Sequence, residues 1–293
     1  MKIGTFLSVM APMHQPDSLR DLAQVIESAG LESLWLGEHV ILFDEMEFPY
    51  PGSADGRLPV PEGQGIPDQA SLIAWMASAT RSLRFGTGIS LISQRSAVYT
   101  AKEFATLDYL TGGRVDLGVG VGWCKEEVEA CGFSWQDRGR RTDEALDLMV
   151  RLWTQPVVDF QGEFHTVRGG RMQPGTVQSP HIPLIIGGFS DAALARTARI
   201  GQGWLGFGLT PDMTAGMLRR LDRALETAGR TRAEIEIVMM PARDDADSVR
   251  AYAELGVDRL LPMFDPTMVS HPAERLRYLE TLVRLAETLS ERC

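Results

Sequence analysis

Gly112-Gly-Arg-Val-Asp-Leu-Gly-Val-Gly-Val-Gly-Trp123 places a glycine at every second position from 118 to 122, among valines and a leucine. Its centre, Val115–Val121, reads as a buried strand, because a short apolar run bounded by glycine suits the middle of a parallel sheet. Helical patterns flank it, one near Ala97–Leu110 and others from Lys125 to Trp153. Strands that alternate with helices imply a parallel sheet. The glycine spacing is G-x-G-x-G. The turn that opens a dinucleotide-binding, doubly wound sheet is G-x-G-x-x-G. The difference favours a closed barrel over an open sheet.

Working outward, the same strand-then-helix unit recurs. Toward the N-terminus lie strands at Lys2–Val9, Ser33–Gly37 and Leu83–Ser90. The helix after the first has a stripe of Leu19, Leu22, Ala23, Ile26 and Ala29, with Ser18 as its expected N-cap and Gly30 just past its end. Asp68 caps the second helix. Toward the C-terminus, strands at Pro183–Gly187, Gly203–Phe207, Ile235–Ala242 and Asp258–Phe264 each precede a helix, the last beginning at Pro272. Eight such pairs predict a (β/α)8 TIM barrel as one domain over residues 1–293. Two long insertions interrupt it, at 41–67 and 154–181. The second carries Phe160-Gln-Gly-Glu-Phe164, which reads as a hairpin.

Composition narrows the function classes. A net charge of −10 argues against nucleic acid as a partner. Cys124, Cys131 and Cys293 are too few and too irregular for a disulfide framework or a zinc site, and no metal ligands are expected. The opening MKIGTFLSV lacks a signal-peptide core, and no apolar stretch is long enough to span a membrane. The expectation is a cytoplasmic protein. Only Lys2, Lys102 and Lys125 are lysines among 29 basic residues, which reads as GC-rich, actinobacterial coding. The expected partner is a small-molecule substrate, and a homodimer is a compatible assembly.

In a barrel the active site lies at the C-terminal ends of the strands. Glu38-His39 closes the second strand, where a histidine contacts a flavin-like ring or moves a proton; a structural His–Glu pair is the competing reading. Gly86-Thr-Gly88-Ile89-Ser90 ends the third strand, where glycine marks a bulge, a close ligand approach or simple packing. Gly118 to Trp123 ends the fourth, with Trp123 able to wall off a ring. Ile185-Ile186-Gly187-Gly188-Phe189-Ser190 leads into a helix, so its backbone N–H groups form an anion site or a plain capped turn. Trp35, Trp75, Trp153 and Trp204 are read as core. Arg138, Arg140 and Arg141, with Asp143 and Glu144, are read as helix-surface ion pairs.

Together these segments, with Ser33-Leu-Trp-Leu-Gly-Glu38-His39, Leu83-Arg-Phe-Gly-Thr-Gly88, Ala101-Lys-Glu-Phe-Ala-Thr-Leu-Asp108, Arg138-Gly-Arg-Arg-Thr-Asp-Glu144 and Gly162-Glu-Phe, resemble the luciferase-like monooxygenase superfamily, and its coenzyme F420-dependent branch in particular. The resemblance runs from residue 1 to about 208; beyond that only the βα pattern matches. It implies a hydride-transferring oxidoreductase with F420 at the strand C-termini, with FMN and a two-component monooxygenase as the alternative. A non-catalytic flavin- or deazaflavin-binding protein is the second alternative. An F420-reducing enzyme or a flavin reductase would then act as an indirect partner.

By the same resemblance, Glu38 and His39 are the catalytic and cofactor-contacting pair, although the family's usual acid is Asp. A third-strand bulge with a non-prolyl cis peptide is expected at Gly88–Ile89, or one residue later at Ile89–Ser90. Gly120, Val121, Gly122 and Trp123 line the pocket. Gly187, Gly188, Phe189 and Ser190 hold the cofactor phosphate. Where some relatives have a catalytic acid after the fourth-strand glycines, this chain has Trp123, a departure from the sugar-phosphate dehydrogenases. Substrate choice falls to the two insertions.

Overall fold

The computed structural model describes residues 1–11, 15–53, 55–264 and 272–290. Its main sheet runs through eight strands in chain order. The first is in two pieces, Lys2–Ile3 and Thr5–Leu7. Next come Ser33–Leu36, Arg84–Thr87 with a continuation at Ser90–Leu91, Val115–Gly120, Leu184–Gly187, Gly203–Leu209 and Glu236–Pro241. The eighth is again in two pieces, Arg259–Leu260 and Met263–Phe264. All pairings in this sheet are parallel. Lys2 pairs with Arg259 and Phe6 with Met263, so the first and last strands meet and the sheet closes into a barrel.

Side chains that point inward form layers, as a closed barrel requires. At the N-terminal end Asp116 bonds Arg259 Nη1 at 2.7 Å and Arg84 Nη2 at 2.5 Å, while Arg259 also reaches Glu32 and Glu236. Above this charged layer lies an apolar one of Trp35, Ile185, Leu205, Val238, Met240 and Leu261. Half-buried Phe6, Ile89 and Phe207 cap it on the mouth side. The larger core lies between the strands and the surrounding helices, with Leu34, Phe85, Phe104, Leu117, Ile186 and Trp204 within it.

The strand glycines make these layers possible. A Cβ on Gly86 would stand 2.2 Å from the Trp35 ring, and one on Gly118 only 1.8 Å from the Thr87 carbonyl. A Cβ on Gly120 would meet Ile89 Cδ1 at 1.7 Å. At all three positions the space cleared by the missing side chain holds protein. The Gly88–Ile89 peptide is cis, in the register read from the sequence.

Element boundaries agree with the sequence reading to within a few residues, with four corrections. The first helix is Pro16–Ser28 with Gln15 as N-cap; Ser18 lies in its first turn and donates to the Gln15 carbonyl. Trp75 is 42% exposed, lying under Arg20 and donating to the Pro16 carbonyl on the outer surface. The hairpin strands are Val158–Gln161 and Thr166–Gly170, so Gly162–Phe164 belongs to the turn. Arg141 is buried against Phe133 and Phe164, and Glu144 accepts the N–H groups of Glu163, Phe164 and His165. Those two are packing and turn-capping residues. Arg140 and Asp143 do form surface ion pairs, with Glu163 and Arg199, and Asp143 also pairs with the buried Arg196.

Candidate active site at the barrel mouth

The second strand delivers Glu38 and His39 to the mouth pointing in different directions. Glu38 is buried. Its Oε2 accepts the Leu91 N–H at 2.6 Å and its Oε1 pairs with Arg95, which also binds Glu103. The carboxylate therefore ties the second strand to the segment just beyond the cis peptide. Burial pushes the Glu38 carboxyl up, against the pull of Arg95 and the Leu91 N–H. Burial also works against the charge of Arg95, but Glu38 and Glu103 outweigh it and hold the guanidinium above its ordinary value.

His39 turns toward the fourth-strand loop. Its Nδ1 lies 2.9 Å from Glu127 Oε2, and Glu127 Oε1 accepts the Val40 N–H at 2.5 Å. Glu127 belongs to the short helix Lys125–Ala130, and its side chain is 1% exposed. Trp123 meets the imidazole edge-on at 5.8 Å, and Tyr50, from the first insertion, leans on Trp123 at 5.2 Å. Burial raises the Tyr50 hydroxyl above its usual value, so it stays neutral at physiological pH. Lys125 pairs with Glu47, the Glu47 N–H donates to Glu126 at 2.8 Å, and Phe48 stacks on Trp135. The first insertion is thus pinned over this side of the mouth.

Ile89 links the remaining candidates. A Cβ on Gly120 or Gly187 would meet the Ile89 side chain, at 1.7 and 3.1 Å, so the third, fourth and fifth strands converge on that residue. Val121 accepts from the Ser93 hydroxyl, and Gly122 turns the chain with φ of +76°, a conformation that glycine adopts freely. Gly188 has φ of +122°, and its carbonyl accepts from Trp204. Ser190 is the N-cap of the helix Asp191–Ile200, its oxygen accepting from the Ala193 N–H at 3.2 Å. Phe189 is exposed, edge-on to Trp204. Asp191 at the start of this helix pairs with Arg220.

The expected site residues, Glu38 and His39, Gly88 and Ile89, Gly120 to Trp123 and Gly187 to Ser190, lie at or just past the C-terminal ends of the second to fifth strands. Sequence reasoning missed Arg95, Glu127 and Tyr50. Glu127 sits in Lys-Glu-Glu-Val-Glu, which reads as a solvated face, and a six-residue helix is too short for periodicity to mark the buried acid. Tyr50 lies in an insertion without periodic structure. Among the described residues, no helix is long and apolar enough to cross a membrane.

Comparison with known proteins agrees with the fold. An uncharacterised protein of Mycobacterium tuberculosis is 30% identical over 271 residues, covering 92% of each chain. A 4-hydroxyprotoasukamycin monooxygenase of Streptomyces nodosus subsp. asukaensis is 29% identical, over 79% of this chain and 61% of its own. An F420-dependent glucose-6-phosphate dehydrogenase of Microbacterium testaceum is 27% identical, over 89% of this chain and 76% of its own. The fold matches a solved F420-dependent secondary alcohol dehydrogenase with a TM-score of 0.77 and 16% identity, over 97% and 98% of the two chains. The sequence signature of the luciferase-like monooxygenases matches residues 1–288, and the chain belongs to that family.

Proposed function

We propose that the protein is a coenzyme F420-dependent oxidoreductase that passes a hydride between the deazaflavin and a small organic substrate. The observation that carries this reading is the meeting of Glu38–His39, the Gly88–Ile89 bulge and the Trp123 loop at one barrel mouth. The family membership and the F420-dependent relatives support it.

The residues present fit such a cofactor. Phe6, Ile89 and Phe207 offer a half-buried apolar floor for a flat ring. The turn Gly187–Ser190 offers backbone N–H groups at a helix N-terminus for a phosphate. Because the Ser190 oxygen already accepts from Ala193, its hydroxyl hydrogen is left to donate to an anion. When bound, a deazaflavin supplies a two-electron hydride centre. The chain's part is to orient and to manage protons. His39 presents Nε2 for proton exchange with the substrate, Glu38 holds the bulge behind the ring through Leu91, and Trp123 with Tyr50 screens the imidazole from water.

The monooxygenase relative favours a second reading, an FMN-dependent oxygenase supplied by a separate reductase. Anaerobic turnover separates the two. Hydride transfer from reduced F420 proceeds without oxygen, followed by the return of the oxidised coenzyme's absorbance. Turnover that requires oxygen and reduced FMN would replace the first reading with the second. Substrate selection is assigned to the insertions at 41–67 and 154–181.

A further inference from the structure

We infer that Glu127 is a positioning residue that fixes which nitrogen of His39 carries the proton. The argument rests on the difference between a carboxylate and an amide. A carboxylate has two acceptor oxygens and no donor. Here Oε1 accepts the Val40 N–H at 2.5 Å, with the Ile41 N–H at 3.5 Å, and Oε2 lies 2.9 Å from His39 Nδ1. An acceptor at Oε2 requires a donor at Nδ1, so the neutral ring carries its proton there. Nε2 is left as a bare acceptor. The histidine side chain is 12% exposed, and among the described residues Nε2 makes no hydrogen bond and is not sealed in the interior.

No neighbouring acid competes for this role. The two oxygens of Glu38 are engaged by Leu91 and Arg95. Glu126 is turned to the Glu47 N–H and the Cys124 thiol, and that thiol is pushed up to about 11 by burial and carries no charge at neutral pH. The buried carboxylate of Glu127 therefore sets the direction in which His39 exchanges protons: the mouth-facing nitrogen takes a proton first and returns it afterwards. With a substrate alcohol Nε2 would take the hydroxyl proton, and with a carbonyl substrate it would return that proton to oxygen; a bound deazaflavin would supply the matching two-electron hydride chemistry. This consequence rests on the hydride-transfer reading; the tautomer does not.

Glu127→Gln inverts the arrangement. The Val40 N–H needs an acceptor, so the amide oxygen turns to it and the NH2 group faces His39. Nδ1 must then accept, and the proton moves to Nε2. Long-range 1H–15N correlation spectra of the labelled protein, recorded where the ring is neutral, read both states. His39→Asn identifies its signals among the five histidines. The expected result is a protonated Nδ1 and a bare Nε2 in the wild type, and the reverse in Glu127→Gln. His165, held by Glu144 through Nδ1 at 2.9 Å, stays unchanged as an internal control. Nε2–H in the wild type overturns the inference, even where the variant does not fold. An unchanged tautomer in folded Glu127→Gln overturns it as well.

In turnover, Glu127→Gln is expected to lower kcat by about 100-fold, with cofactor affinity retained and with Glu127→Asp recovering part of the loss. Unchanged kcat alongside an inverted tautomer would remove the proposed role in proton direction. A wild-type protein inactive with F420 would sink the cofactor reading while leaving the spectra to decide the tautomer.

Discussion

At the scale of single residues, the strand glycines separate two kinds of crowding. The hypothetical Cβ of Gly118 meets a backbone carbonyl, Thr87 O, whereas that of Gly120 meets the end of the Ile89 side chain. Backbone held in a closed sheet has nowhere to go, while an isoleucine can change rotamer. Gly118→Ala is therefore expected to cost about 3 kcal/mol or more and Gly120→Ala about 1–2 kcal/mol, within the range of overpacked cores. Ile89→Ala should recover most of the Gly120→Ala loss and none of the Gly118→Ala loss. Urea denaturation of the single and double variants measures this, and equal recovery at both sites would contradict the geometry. The glycines were legible in the sequence as places where something comes close. What comes close was not, because the neighbours, Trp35 and Ile89, lie 51 and 31 residues from Gly86 and Gly120, the glycines they fill. Glu38–His39 was legible for the opposite reason: both residues follow directly on a strand whose position the pattern fixes. Glu127 was hidden because its partner is 88 residues away.

At the scale of elements, most boundaries follow local chemistry. Asp68 and Ser190 cap their helices as their positions suggested, each accepting from the backbone N–H three residues on. Ser18 failed as a cap because Pro16 already supplies the first helical turn, a position where a missing N–H costs nothing. At the far end of that helix, Glu27 does what no capping rule anticipates. Its Oε1 gathers the N–H groups of Arg81, Ser82 and Leu83 and the Ser82 hydroxyl, between 2.6 and 2.9 Å. Partial burial works against the charge, but the donors prevail and hold the carboxyl down at about 2, from an ordinary value of 4.5. The native state therefore binds this proton less readily than the unfolded chain. The stabilisation is full above about pH 4.5 and is lost as pH falls toward about 2. Glu27→Gln should cost about 1–2 kcal/mol at pH 7 and progressively less below pH 4.5. A wild-type advantage that stayed constant down to pH 2.5 would show that the loop before the third strand is held by other contacts.

At the scale of the whole molecule, the two ends of the barrel have opposite chemistry. The N-terminal end is closed by Arg84, Asp116 and Arg259 with Glu32 and Glu236, in ion pairs that join neighbouring strands, Arg84–Asp116 and Arg259–Glu236, and that cross the barrel, Arg259–Asp116. Burial would raise Asp116, but Arg259 and Arg84 pull harder and hold its carboxyl below the usual carboxylate range. The C-terminal end offers, among the described residues, an apolar floor, His39 and a helix N-terminus. The eightfold βα recurrence made the barrel legible, and the barrel told which end to search. The roofing of the mouth by the first insertion was not legible, because Phe48, Tyr50 and Glu47 act on Trp135, Trp123 and Lys125 across non-periodic chain.

The central claim concerns what this mouth holds, and direct titration of the purified protein with oxidised F420 and with FMN tests it. Coenzyme fluorescence and absorbance report binding in both cases. The account predicts micromolar or tighter binding of F420 and at least tenfold weaker binding of FMN, a gap of about 1.4 kcal/mol or more. FMN binding as tight as F420 or tighter would contradict it.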